Sequence, residues 1–111
     1  VSRLGEAISR LEAVIESRRG ASPDSSWTAR LLSDGPPRAA RKLGEEAVEA
    51  VVAAVSGDRD GLAGEAADVL YHLLVLLAAA GVSPEEVAAR LEAREGVSGL
   101  DEKASRKPGP P

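Results

Sequence analysis

The chain has no cysteine, no methionine and no phenylalanine, and its only aromatic residues are Trp27 and Tyr71. Without cysteine there is no disulfide scaffold, no thiolate zinc site and no cysteine nucleophile. The scarcity of aromatics leaves a core of Leu, Val and Ala, which packs best as close, straight helices, so the composition predicts an all-α fold. No basic stripe exists and the formal charge is −4 over 111 residues, which argues against binding a polynucleotide through its phosphates. The longest apolar run, residues 73–82, is too short to span a bilayer and reads as part of a buried core helix. No signal-peptide pattern opens the sequence, so the expectation is a cytoplasmic protein with no membrane partner. A chain this short buries only a modest share of its surface alone, which makes a homodimer the default assembly.

The helices can be placed from their punctuation. Ser2 caps a first helix with Leu4, Ile8, Leu11 and Ile15 at helical spacing, ended by Arg18, Arg19 and Gly20. Asp24 or Ser25 starts a short helix that carries Trp27, Leu31 and Leu32 and closes at Ser33, Asp34 and Gly35. Pro36 and Pro37 suit the first turn of a second long helix, which runs to about Ser56 and stops at Gly57. A turn over residues 57–61 leads to a helix ending at Gly81, and Ser83, Pro84, Glu85 and Glu86 form a capping box for the next. Residues 1–95 read as one helical domain, and residues 96–111 as a polar tail rich in breakers.

Acidic residues mark the chemistry. At about 100° per residue, Lys42, Glu45, Glu46 and Glu49 share one helix face, and Glu65, Asp68 and His72 share a face of the following helix. With the connecting turn centred near residue 58.5, the antiparallel hairpin sets Glu49 level with Asp68 and Glu45 level with His72, and five carboxylates converge if the faces meet. A merely solvated face would stay polar along its length. Here it continues through Val52 and Ala53, and residues 50–55 hold no polar side chain, so the acids occupy one end of an otherwise buried hairpin. Converging carboxylates repel unless their pKa values rise or a cation neutralises them. All-oxygen ligation selects a hard ion, Mg²⁺ or Mn²⁺ over Zn²⁺. The competing reading is a surface ion-pair network with Arg41 and Lys42.

The pattern Glu45-Glu46-Ala47-Val48-Glu49 followed by Glu65-Ala66-Ala67-Asp68 resembles the all-α, MazG-like nucleoside triphosphate pyrophosphatases. Within that group the stretches Ser26-Trp27-Thr28-Ala29-Arg30-Leu31-Leu32, Arg41-Lys42-Leu43-Gly44-Glu45-Glu46 and Asp68-Val69-Leu70-Tyr71-His72 resemble the phosphoribosyl-ATP pyrophosphatases of histidine biosynthesis, over residues 25 to 94 or so. Trp27 stands where a tyrosine is more usual. The resemblance implies Mg²⁺-dependent cleavage of the α–β phosphoanhydride of phosphoribosyl-ATP in a homodimer whose paired hairpins form a helical bundle. By motif position it makes Glu46, Glu49, Glu65 and Asp68 the metal ligands and Glu45 the residue that orients or deprotonates water. Lys42 and Arg30 are the basic residues the motifs place nearest substrate phosphates; both are weighed against simple solvation. A pyrophosphatase acting on free nucleoside triphosphates shares the same acids, and a non-catalytic helical interaction module is the alternative of another class.

Overall fold

The structure, a computed structural model, describes residues 2–97, and among these it is all helix: α1 Arg3–Ser17, α2 Trp27–Asp34, α3 Pro36–Val55, α4 Arg59–Ala80 and α5 Pro84–Ala93. The tail expectation concerns residues 96–111, of which 98–111 lie outside the described residues. Helices α3 and α4 form an antiparallel hairpin, with α1 packed on α4 and α2 lying against both hairpin helices.

Two helix starts differ from the sequence expectation. Helix α2 is capped by Ser26, whose side chain accepts from the Ala29 N–H at 3.2 Å. Asp24 and Ser25 cannot serve because both are held in a turn by Ser22: the Asp24 N–H donates to Ser22 Oγ, and Ser25 bonds to the Ser22 carbonyl through both its N–H and its hydroxyl. Helix α4 starts at Arg59, so residues 59–61 belong to its first turn and not to the connection. The cause is Asp58, whose Oδ1 accepts from the Gly61 N–H at 2.9 Å. A Cβ at position 61 would crowd the Asp58 carboxylate, so glycine there lets the cap sit without a side-chain shift. The capping box at Ser83 forms as expected, with the Ser83 N–H donating to Glu86 Oε2 at 2.7 Å and the Glu86 N–H to Ser83 Oγ at 3.2 Å.

The core lies at the end of the hairpin remote from its turn. Ile15, Leu31, Ala39 and Val75 bring α1, α2, α3 and α4 into one buried cluster, with Leu11, Leu32, Tyr71 and Leu74 packed around it. Leu31 and Val75 are completely buried, each stabilising the fold by about 1.5–3 kcal/mol relative to exposure. Thr28 and Tyr71 share a 2.5 Å hydroxyl hydrogen bond that ties α2 to α4. The turn-proximal half is different. Val48, Val51, Val52 and Val55 are exposed, by 63%, 61%, 61% and 83%, and only Ala53 of residues 50–55 is buried. The expectation of a hairpin buried along residues 50–55 is therefore corrected for the single chain: one helical partner covers only one side of α3. As a whole, α4 is long and apolar enough to cross a membrane by length and composition, because its few charges cluster in its first half; here it packs against α1, α2 and α3.

Candidate metal centre

Helix α3 ends at Val55 and α4 begins at Arg59, so the connection is centred on Gly57 and residues equidistant from it stand level across the hairpin. Glu49 and Glu65 are each eight residues from Gly57, and Glu46 and Asp68 are each eleven. This replaces the expected pairing of Glu49 with Asp68, and the reason is the earlier start of α4 under the Asp58 cap. The spacing of three within each helix then makes the two pairs successive rungs of one ladder.

Carboxylate oxygens of Glu46, Glu49 and Glu65 lie within 4.8 Å of one another. Glu46 and Glu65 are half-buried and Glu49 is exposed, so the trio opens on one side to solvent. Glu65 is the innermost: its Oε2 is buried and has no hydrogen-bond partner among the described residues. Burial pushes the Glu65 carboxyl up to about 7, reinforced by hydrogen bonding and charge repulsion from Glu46 and Glu49. Near neutral pH the trio is therefore poised between holding a proton and holding a cation. A buried, unsatisfied carboxylate oxygen facing two further carboxylates, with no sulfur and no nitrogen in the set, fits a hard divalent ion.

The other expected site residues fall around this trio. Asp68 is level with Glu46 in register but exposed, and its carboxylate is not among the three that meet; its main-chain carbonyl accepts from His72 Nδ1 at 2.8 Å. Glu45 is also outside the trio. It accepts from Lys42 Nζ at 3.1 Å, so part of the surface ion-pair reading is present, one helical turn from the acids. Arg30 is on α2, 3.8 Å from Asp24, and its side chain is about half exposed. The convergence is thus three carboxylates close together, with Asp68 and Glu45 flanking.

The family model for phosphoribosyl-ATP pyrophosphohydrolase matches residues 8–95, which contain all five helices apart from the first turns of α1. The chain belongs to this family. Among curated relatives, the phosphoribosyl-ATP pyrophosphatase of Dinoroseobacter shibae is 65% identical over 99 residues, 89% of this chain and 97% of that protein. The proteins of the same name from Rhodobacter capsulatus and Rhizobium johnstonii are 60% and 58% identical, covering 90% and 93% of this chain and 97% and 96% of their own.

Sequence reasoning missed one arrangement on α2 and the first turn of α3, about two helical turns from the acid trio. Arg38 pairs with Asp34 and lies over the Trp27 ring, 5.1 Å from its centroid. An i,i+4 acid–base pair was legible in principle, but Gly35 and Pro36 fall between the two residues and place them on different helices. Gly35 has φ 87°, a left-handed value that favours glycine, and this turn brings the end of α2 back over the first turn of α3.

Proposed function

We propose that this chain is a Mg²⁺-dependent phosphoribosyl-ATP diphosphatase that cleaves the α–β phosphoanhydride to give phosphoribosyl-AMP and diphosphate, the second step of histidine biosynthesis. The observation that carries the reading is the trio Glu46, Glu49 and Glu65 on the turn-proximal half of the hairpin, within a chain of this family.

In this reading Glu46, Glu49, Glu65 and Asp68 hold the ion, and Mn²⁺ can take its place. The bound ion supplies charge neutralisation on the phosphate oxygens and a lowered pKa for coordinated water. Glu45 accepts the proton of the attacking water as the anhydride bond breaks and diphosphate leaves. Its carboxylate accepts from Lys42 Nζ at 3.1 Å, and Lys42 is the basic residue this reading assigns to the substrate phosphates. Arg30 contributes a second positive charge from α2.

A second copy of the chain is the partner that this reading assigns to the valine stripe. Val48, Val51, Val52 and Val55 recur at i, i+3, i+4 and i+7, the spacing of a helix face that packs on another helix. That stripe borders the acid face, so pairing two hairpins into a bundle also shields the metal centre. The protein is cytoplasmic in this reading and engages neither nucleic acid nor membrane; α4 carries Glu65 and Asp68 toward the site, which would strand them in lipid if the helix spanned a bilayer.

The test is diphosphate release from phosphoribosyl-ATP with and without Mg²⁺, beside ATP and dUTP at equal concentration. Mg²⁺-dependent release favouring phosphoribosyl-ATP, reduced by at least about a hundredfold in Glu49→Ala and Asp68→Ala, is expected. Equal or faster release from the free triphosphates would replace the substrate assignment, and no release from any of them would end the catalytic reading.

A further inference from the structure

Phosphoribosyl-ATP differs from ATP in carrying a second ribose with its own 5′-phosphate, and an enzyme that prefers it needs a group that recognises this distal phosphate. That group has to be cationic and held rigidly. It also has to stand farther from the metal centre than a triphosphate chain reaches, because a whole adenosine separates the two phosphate sites.

Arg38 meets these conditions. Two neighbours define its setting: Asp34 pairs with Nη1 and the Trp27 ring lies beneath the guanidinium, while Nε is buried with no partner among the described residues. On the helical wheel, Arg38, Lys42 and Glu49 fall within about 40° of one another, so Arg38 shares the face that leads to the acids. Eight residues separate it from Glu46, which is ~12 Å along the helix at 1.5 Å per residue. Lys42 stands halfway. The face thus runs from carboxylates through one lysine to one arginine, in the order a metal-bound triphosphate and then a distal phosphate would need.

Nε is shielded and Nη1 is on Asp34, so the exposed part of the fork is what a phosphate reaches, and a guanidinium–phosphate contact there is a charge-assisted hydrogen bond of the stronger kind. Asp34 and Trp27 fix the plane of the fork from two sides, which lowers the entropy lost on binding. Trp27 itself is 44% exposed and the Arg38 side chain 35%, so the pair is open to solvent rather than sealed in the core.

We propose that Arg38, oriented by Trp27 and Asp34, binds the 5′-phosphate of the N1-ribosyl arm and so sets the preference for phosphoribosyl-ATP over ATP. The inference rests on the substrate reading above and adds the residue that discriminates.

The experiment compares kcat/KM for phosphoribosyl-ATP and for ATP in the full chain and in Arg38→Ala and Arg38→Lys, with ribose 5-phosphate as a competing probe. The expected result is a fall of at least about tenfold in the preference ratio for Arg38→Ala, the loss typical of a charged hydrogen-bond pair, carried mainly by KM. Arg38→Lys should recover part of it, and ribose 5-phosphate should inhibit wild type more strongly than Arg38→Ala. An unchanged ratio, or equal loss on both substrates, would overturn the assignment while leaving the diphosphatase reading in place. Wild-type protein that does not prefer phosphoribosyl-ATP would remove both. Should Arg38→Ala fail to fold, the Arg38→Lys ratio and probe inhibition of wild type decide the question.

Discussion

The two ends of the hairpin are built on different terms. At the end remote from the turn, α1 and α2 close over α3 and α4, and Ile15, Leu31, Ala39 and Val75 are each no more than 2% exposed. Near the turn, the same two helices leave four valines in solvent and press three carboxylates together. The remote end holds the buried cluster. The turn end presents the acid trio and the exposed valines, to which the proposed reading assigns a cation and a second copy of the chain, so in that reading stability is concentrated in one half and function in the other.

The sharpest way to break that division is at the remote end. Leu31→Ala removes a leucine that is fully buried in the core, and it should cost about 2–5 kcal/mol in chemical denaturation. Val52→Ala, at the other end, should cost little in protein diluted to monomer, because that side chain is 61% exposed. Similar losses at both sites under those conditions would mean that the turn end is as well packed as the core, and the contrast would fail.

The next test asks what covers the valines. Val51→Asp places a charge in the middle of the stripe, and burying it against a second hairpin carries a desolvation penalty. Sedimentation equilibrium should give twice the 11.4 kDa chain mass for wild type and a dimer dissociation constant raised at least about a hundredfold for the variant. A wild-type protein that sediments as a monomer would leave the stripe without its second copy.

Much of this was legible beforehand, and the departures have local causes. The all-α fold, the five helices and the acid pattern follow from Leu/Ala-rich periodicity and from punctuation at Gly35, Gly57 and Gly81. The rung pairing expected from the sequence shifts because Asp58 caps α4 and draws Arg59, Asp60 and Gly61 into its first turn, moving the centre of the connection by a residue and a half. Such a shift is trivial for the fold and decisive for a site, since it changes which carboxylates face each other. The apolar stretch at residues 50–55 predicts burial, yet within the chain only Ala53 of these is buried, because apolar composition does not say what covers a face. The Trp27 and Arg38 contact depends on the path of the chain at Gly35, which no helical periodicity encodes.

The smallest effect expected is in the acid trio itself. Glu65 has a carboxyl raised from 4.5 to about 7, chiefly by burial, so the folded state binds a proton more tightly than the unfolded chain does. Metal-free protein should therefore lose stability as pH rises from about 4.5 through 7, with the loss complete above that range. The sign is opposite to that of a salt-bridged acid. Mg²⁺ should reverse the trend by taking the place of the proton, raising the melting temperature more at pH 8 than at pH 5 and releasing protons on binding below pH 7. Glu65→Gln should flatten the metal-free profile and abolish the Mg²⁺ increment together. A metal-free melting temperature that is level between pH 5 and 8, or a slope that survives in Glu65→Gln, would show that the three carboxylates are solvated enough to ionise independently, and the turn end would then need no cation to be stable.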